Sequence, residues 1–426
     1  MITTTKDNTK CIFAHGGMSI STNGYTKPCC QIKKGEGEKP HWSEDHNESQ
    51  WWASLRDNLD NGIKDSRCVK CWDLEASGIQ SMRLCGNEFQ EEDKVNIHPW
   101  SYVDLKLGSK CNLMCSMCKS PSSSLIAKEM YDNMDEQWPG ELEEGLFPSH
   151  HEEFKKQTRK YYELGGFTEK KQWYEDPAFY DKLKSNAEHI RTLKFTGGEP
   201  TVIPQVHEVM DWMVKSGHAK HIHIRITTNG TNKSLKLWED MLHFRSSQIR
   251  MSVDGTGANY NYIRYPHSWE QWQQNIKQLQ LYKGEIKLNY QFTMSAFNLF
   301  NIVEMSKWFH EVGGCKSYRG GYTLHPVFWP RHHNVRYLPD DVLEKALVYL
   351  KEGQKKYPKM TTTAINFIES RPYISIEEKN EVMQKLKQDT LIKDKLRVKR
   401  PNYDSIDTFG LRRIFDDIQS RGCQSI

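Results

Sequence analysis

The sequence predicts an α/β fold: a partial (β/α)6 barrel of parallel strands, preceded by a small cysteine-rich β-hairpin region and followed by a helical tail. Three observations carry this expectation. Strand-like runs recur from residue 100 onward, each followed by a helix-like stretch. Several runs alternate apolar and polar residues, as half-buried strands do. The cysteines crowd ahead of the first run and just behind it.

The runs are Tyr102–Leu107, Thr192–Phe195, His221–Ile226, Gln248–Val253, Ile286–Met294 and Tyr322–Leu324. Between and after them, residues 204–216, 232–244, 268–283, 299–312 and 339–354 suit helices. Pro339 stands at a first helical position and Asn298 at an N-cap. Six β–α units in succession favour right-handed crossovers and a parallel sheet, with chemistry at the C-terminal ends of the strands. More than seventy residues separate Cys118 from the second run. That is far longer than an ordinary connection, so an insertion is expected at about 121–188, either a lid that contacts substrate or a helical decoration. Beyond it, Ser375 and Glu378 form a capping box ahead of 376–388, and 405–419 is amphipathic. The implied division is 1–95, 96–335 and 336–426.

The chain of 426 residues, 37% hydrophobic, is long enough to bury a large core. No apolar run approaches the ~18 residues that span a bilayer, and Met1–Lys10 lacks the apolar segment of a signal peptide. The expected location is the cytoplasm, away from membranes. The net charge of +4 excludes little. The basic run Lys385–Arg400 suits a solvated helix face, and it leaves a nucleic-acid or phosphate contact open.

Eleven cysteines are many for a reducing compartment, where clustered thiols favour metal or catalysis over disulfides. Cys111, Cys115 and Cys118 give C-x3-C-x2-C just after a strand. Composition alone would produce on the order of 0.01 such spacings in this chain. Three soft thiolates on one short loop suit a cubane iron–sulfur cluster and leave one iron without a protein ligand. A zinc site there would need a histidine, and the loop has none. Ahead of the barrel, Asn23-Gly24 between two short strand-like runs signals a hairpin, which would bring Cys11 and Cys29 together. Cys68-x2-Cys71 adds two thiolates at a spacing common to zinc and iron–sulfur sites. Cys30 and Cys85 are spare or alternative ligands, and Cys315 and Cys423 stand alone as structural or incidental residues.

With Gly197-Gly-Glu-Pro200 after the second strand, Thr227-Thr-Asn-Gly230 after the third and Ser252-Val-Asp-Gly255 after the fourth, the C-x3-C-x2-C chain resembles the radical SAM superfamily over about residues 100–330. The resemblance implies an enzyme. Cys111, Cys115 and Cys118 would hold a 4Fe–4S cluster, and S-adenosylmethionine (SAM) would chelate the open iron. Gly197 and Gly198 would let the backbone approach SAM, with Glu199, Pro200 and the neighbouring carbonyls around its ammonium. Arg264 would pair with its carboxylate, and Thr228, Asn229, Ser252 and Asp254 would lie near the ribose. Met117 fills a slot that is often aromatic in the family. The implied chemistry is reductive cleavage of SAM to a 5′-deoxyadenosyl radical that abstracts a substrate hydrogen, with flavodoxin or ferredoxin as electron donor.

The hairpin with Cys11, Cys29, Cys68 and Cys71 resembles the twitch domain, the shorter relative of SPASM. It implies an auxiliary 4Fe–4S cluster, placed here before the barrel rather than after it; a four-cysteine zinc site is the alternative. Auxiliary-cluster relatives often modify peptides, so the expected substrate is a peptide, protein or small molecule. A nucleotide, nucleic acid or sugar is the second reading, and a non-catalytic iron–sulfur or zinc scaffold is the third.

Overall fold

Asn23-Gly24 turns the chain back on itself. Gly24 takes φ +83, a conformation that costs glycine little, and the hairpin closes with Gly17–Ile20 (β1) antiparallel to Thr26–Lys27 (β2), Ser19 opposite Lys27. The structure, a computed structural model, describes residues 9–32, 40–45, 49–93, 97–133, 135–136, 138, 172–233, 235–282, 284–312 and 321–398. The expected helix at 405–419, Cys315, Cys423 and most of the insertion lie outside the described residues.

The chain divides into two compact units, neither continuous in sequence. The first comprises Met1–Ser109, Glu169–Thr227 and Ser234–Gln248. Here β1 continues into a parallel sheet with Tyr102–Leu105 (β3), Thr192–Phe195 (β4) and His223–Thr228 (β5). The register sets Gly17 opposite Tyr102, Tyr102 opposite Thr192 and Thr192 opposite His223. β1 and β4 are buried along their whole length, as strands of a parallel sheet covered on both faces are. The helices Gln50–Asp60, Val69–Ala76 and Met82–Asp93 follow the hairpin along the chain. Trp51, Trp52, Leu55 and Leu59 of the first of these form a core with Ala14 and Ile32. The end of the insertion packs here too: Trp173 donates its indole N–H to Thr22 O (2.9 Å), and its ring meets Trp42 and Phe179.

The second unit comprises Lys110–Thr168, Thr228–Lys233 and Ile249–Ile426. The strand Ser246–Ser252 (β6) runs into it. Ile286–Met294 (β7) pairs in parallel with Tyr322–Pro326 (β8), Tyr290 opposite Tyr322. Trp269, Trp272, Tyr290 and Trp308 pack ring against ring in its core. The tail is helical as expected, with Asp340–Gln354, Pro358–Glu369 and Ile376–Leu396. Strand and helix alternate along the chain with parallel pairing, which is the α/β class the sequence predicts. Among the described residues no helix is long and apolar enough to cross a membrane.

Candidate active site

Cys111, Cys115 and Cys118 lie on the irregular segment that follows β3, in the second unit. Every backbone group flanking the middle cysteine is tied down. Met114 N–H donates to Tyr265 O (2.7 Å) and Ser116 N–H to Ile263 O (2.8 Å). On the carbonyl side, Arg397 Nη1 donates to Met114 O and Lys393 Nζ to Ser116 O, both at 2.8 Å. Cys118 N–H returns to Cys115 O (3.0 Å), and Ser124 Oγ accepts from Cys111 N–H (3.3 Å). An irregular loop held this completely keeps its side chains in one arrangement. Burial pushes the Cys115 and Cys118 thiols above the ordinary range, and each of the other two cysteines pushes Cys118 further. Thiols so raised are poor free nucleophiles; binding a metal displaces their protons.

Asn229 Nδ2 donates to Asn112 Oδ1 (2.8 Å), and Asn112 Nδ2 donates to Thr231 Oγ1 (2.7 Å), so the turn after β5 is stitched to the cysteine loop. Thr228 is buried and its hydroxyl oxygen accepts from Gly230 N–H (3.1 Å). Asp254 Oδ1 accepts from Thr293 N–H (2.8 Å) and Oδ2 from Arg264 Nη1 (2.5 Å). The two residues expected to meet SAM thus also meet each other, and both are buried. Arg264 Nε is buried without a hydrogen-bond partner. A guanidinium N–H left this way suits an incoming carboxylate. Ser252 is half-buried at the end of β6.

In the first unit, Gly197 takes φ +115, and a Cβ there would come within 3.0 Å of Gly108 O. Gly198 N–H donates to that same carbonyl (3.2 Å). The glycine pair lets two backbone segments touch. Glu199 is buried; its Oε1 accepts from Thr201 N–H (3.1 Å) and Thr201 Oγ1 (2.6 Å), capping the short turn that begins at Pro200.

Residues 105–290 match the family described as the radical SAM superfamily. This segment is a radical SAM domain. No curated protein matches the chain. A solved structure of TYW1 with a lysine-pyruvate adduct bound aligns over 58% of this chain and 70% of its own, at 13% identity and a TM-score of 0.28.

A radical SAM domain makes the chain an enzyme of SAM-dependent radical chemistry, with a 4Fe–4S cluster and SAM as its cofactors and an electron donor such as flavodoxin or ferredoxin. The donor set fits such a cluster. Among the described residues no three cysteine sulfurs lie within 4.8 Å of one another, the closeness that a single tetrahedral zinc would require. Three sulfurs spread over a cubane face stand farther apart.

Cys11, Cys29 and Cys68 border the core of Trp51 and Trp52. Burial raises Cys11 to about 11 and Cys68 to about 12, and Cys29 and Cys71 rise as well. Each of Cys29 and Cys68 feels the charges of Cys11 and Cys71. Backbone N–H groups of Phe13 and Ala14 face Cys11, that of Gln31 faces Cys29, and that of Arg83 faces Cys71. Cys30 is near as well: among the cysteines its charge weighs most on Cys29, and its Sγ lies 3.7 Å from Met82 Sδ and 3.9 Å from Lys194 Nζ. Cys85 is exposed.

Two features were absent from the sequence reading. Lys194 on β4 and Asp104 on β3 form a buried pair at 2.9 Å, with Thr196 Oγ1 2.7 Å from the same carboxylate. The strand register makes Asp104 and Lys194 opposite residues, so knowledge of the parallel pairing would have found them. Lys393 and Arg397, which hold the cysteine loop, stand in the sequence only as members of a basic run.

Proposed function

We propose that Cys111, Cys115 and Cys118 carry the SAM-binding 4Fe–4S cluster and that Arg264 receives the SAM carboxylate, with Asp254 fixing its orientation. The observation that carries this reading is the cysteine loop itself. The backbone on both sides of Cys115 is hydrogen-bonded, the three half-buried cysteine sulfurs are spaced wider than zinc needs, and Asn229, Asp254 and Arg264 of the same unit are drawn around the loop. Cluster and SAM together supply a 5′-deoxyadenosyl radical for hydrogen abstraction. The residues of the chain bind, orient and exclude water.

Cys11, Cys29, Cys68 and Cys71 form the proposed auxiliary-cluster site, on the segment read from the sequence as 1–95. The packing of Cys11, Cys29 and Cys68 against one apolar core and the N–H groups aimed at Cys11, Cys29 and Cys71 support it. The proposed substrate is a peptide or protein. In the basic run at 385–400, which kept a nucleic acid in view, Lys393 and Arg397 are buried against Asp389 and Glu129, while Lys385 and Lys395 pair at the surface with Glu381 and Glu136. A panel of peptides and nucleotides bearing deuterium, incubated anaerobically with the chain, SAM and dithionite, tests this. Deuterium in 5′-deoxyadenosine from peptides alone supports the reading, and transfer from nucleotides alone reverses it.

A further inference from the structure

Two cations from the C-terminal helix reach the two peptide carbonyls on either side of Cys115. Lys393, on the last turns of Ile376–Leu396, bonds Ser116 O across 277 positions of sequence. Arg397, one residue past that helix, bonds Met114 O across 283. Both side chains are buried, 6% and 2% exposed, and each is matched by a carboxylate. Lys393 pairs with Asp389 (2.6 Å). Arg397 meets Glu129 in a fork, Nε to Oε1 at 2.8 Å and Nη2 to Oε2 at 2.6 Å. Ile392 and Leu396 pack with Ile126, Met130, Met114 and Cys118, so the helix is seated against the loop.

His332 and His333 complete the neighbourhood. With Asp389 they are the one group, among the described residues, whose ligand atoms all lie within 4.8 Å of one another. A metal ion there would share Asp389 Oδ2 with the Lys393 ammonium, 2.6 Å away. A divalent ion beside a fixed ammonium, with one carboxylate between them, leaves a large uncompensated buried charge. The cation that the carboxylate holds is Lys393 itself.

We propose that Lys393 and Arg397 are positioning residues that clamp the cysteine loop and, by their fixed positive charge, raise the reduction potential of the cluster it carries. The inference rests on the assignment of Cys111, Cys115 and Cys118 as ligands. The physical reason is direct. Reduction adds an electron to the cluster, and a buried cation nearby stabilises the more negative state, in a medium that screens it poorly. The Arg397 guanidinium and a Cys115 thiolate already favour one another.

The sign of the response separates charge from scaffolding. The readout is the midpoint potential of the EPR signal that Cys115→Ala abolishes, in the full chain reconstituted anaerobically and reduced with dithionite. Arg397→Gln is expected to weaken reduction tenfold, a fall of about 59 mV for one electron. Glu129→Gln, which removes the opposing carboxylate, is expected to raise the potential, and Arg397→Lys to stay near the parent. A loop merely loosened would admit water in either variant and move both the same way. Equal signs, or no shift in either variant with full iron content, would overturn the proposal. Should Arg397→Gln not fold, Glu129→Gln decides alone, a rise supporting and a fall or no shift refuting. Lys393→Gln and Asp389→Asn repeat the same opposed pair. Failure of the ligand assignment is seen separately, as Cys115→Ala retaining the parent's iron and signal.

Discussion

Asp254 and Arg264 show how a single pair serves two purposes. The carboxylate holds the guanidinium at 2.5 Å and also accepts Thr293 N–H, leaving Arg264 Nε free in a buried position. Asp254→Asn removes the charge that compensates Arg264. It is expected to cost about 3–5 kcal/mol of stability, the usual penalty for stranding one partner of a buried pair. Thermal melts read this, and an unchanged midpoint would show that the pair is not coupled in the folded protein. Gly197→Ala forces a Cβ into φ +115 and to within 3.0 Å of Gly108 O. About 1–3 kcal/mol of strain is expected, measured by denaturant titration, together with weakened SAM binding. Wild-type values for both would remove the reason for glycine there.

Elements were legible where the pattern was local. The alternation in Ile286–Met294 gave β7 to the residue. The third run is read as His221–Ile226, whereas β5 spans His223–Thr228: the turn His218–His221 takes up the first residues, and the β-branched Thr227 and Thr228 extend the far end. The hairpin was legible because Asn-Gly leaves a short chain few alternatives. The helix that begins after Ser375 has half of the capping box read from the sequence, the Ser375 hydroxyl accepting from Glu378 N–H (3.1 Å) while the Glu378 carboxylate pairs with Arg331, and it runs on to Leu396 instead of stopping at 388. What sustains its last turns is remote: Lys393 and Arg397 find their partners near 114–129, which no local window contains. The helix Gln50–Asp60 carries a local signal of its own, Trp51, Trp52, Leu55 and Leu59 recurring on one face. At this scale the auxiliary site is tested by the double change Cys68→Ala/Cys71→Ala. The reconstituted chain should fall from about eight irons to about four and keep uncoupled SAM cleavage while losing product. Unchanged iron would remove the second cluster from the account.

The whole molecule should be less stable in acid. Burial, with His332 beside it, holds His333 down to about 3, and Lys393 together with both histidines holds the buried Asp389 carboxyl well below the usual range. Unfolding lets His333 take up a proton near 6.5, so stability falls as pH drops from about 6.5 toward 3. About 2 kcal/mol is lost by pH 5. The Asp389 contribution is present above the ordinary carboxylate range and disappears at still lower pH. Thermal midpoints recorded between pH 7 and 5 should therefore decline, and His333→Asn should flatten the decline; an equal slope in the variant would show that another group titrates.

Anaerobically reconstituted chain, given SAM and dithionite, should form 5′-deoxyadenosine, and Cys115→Ala, folded by thermal melt, should form none. Production of 5′-deoxyadenosine by that variant at the parent's rate would contradict the assignment.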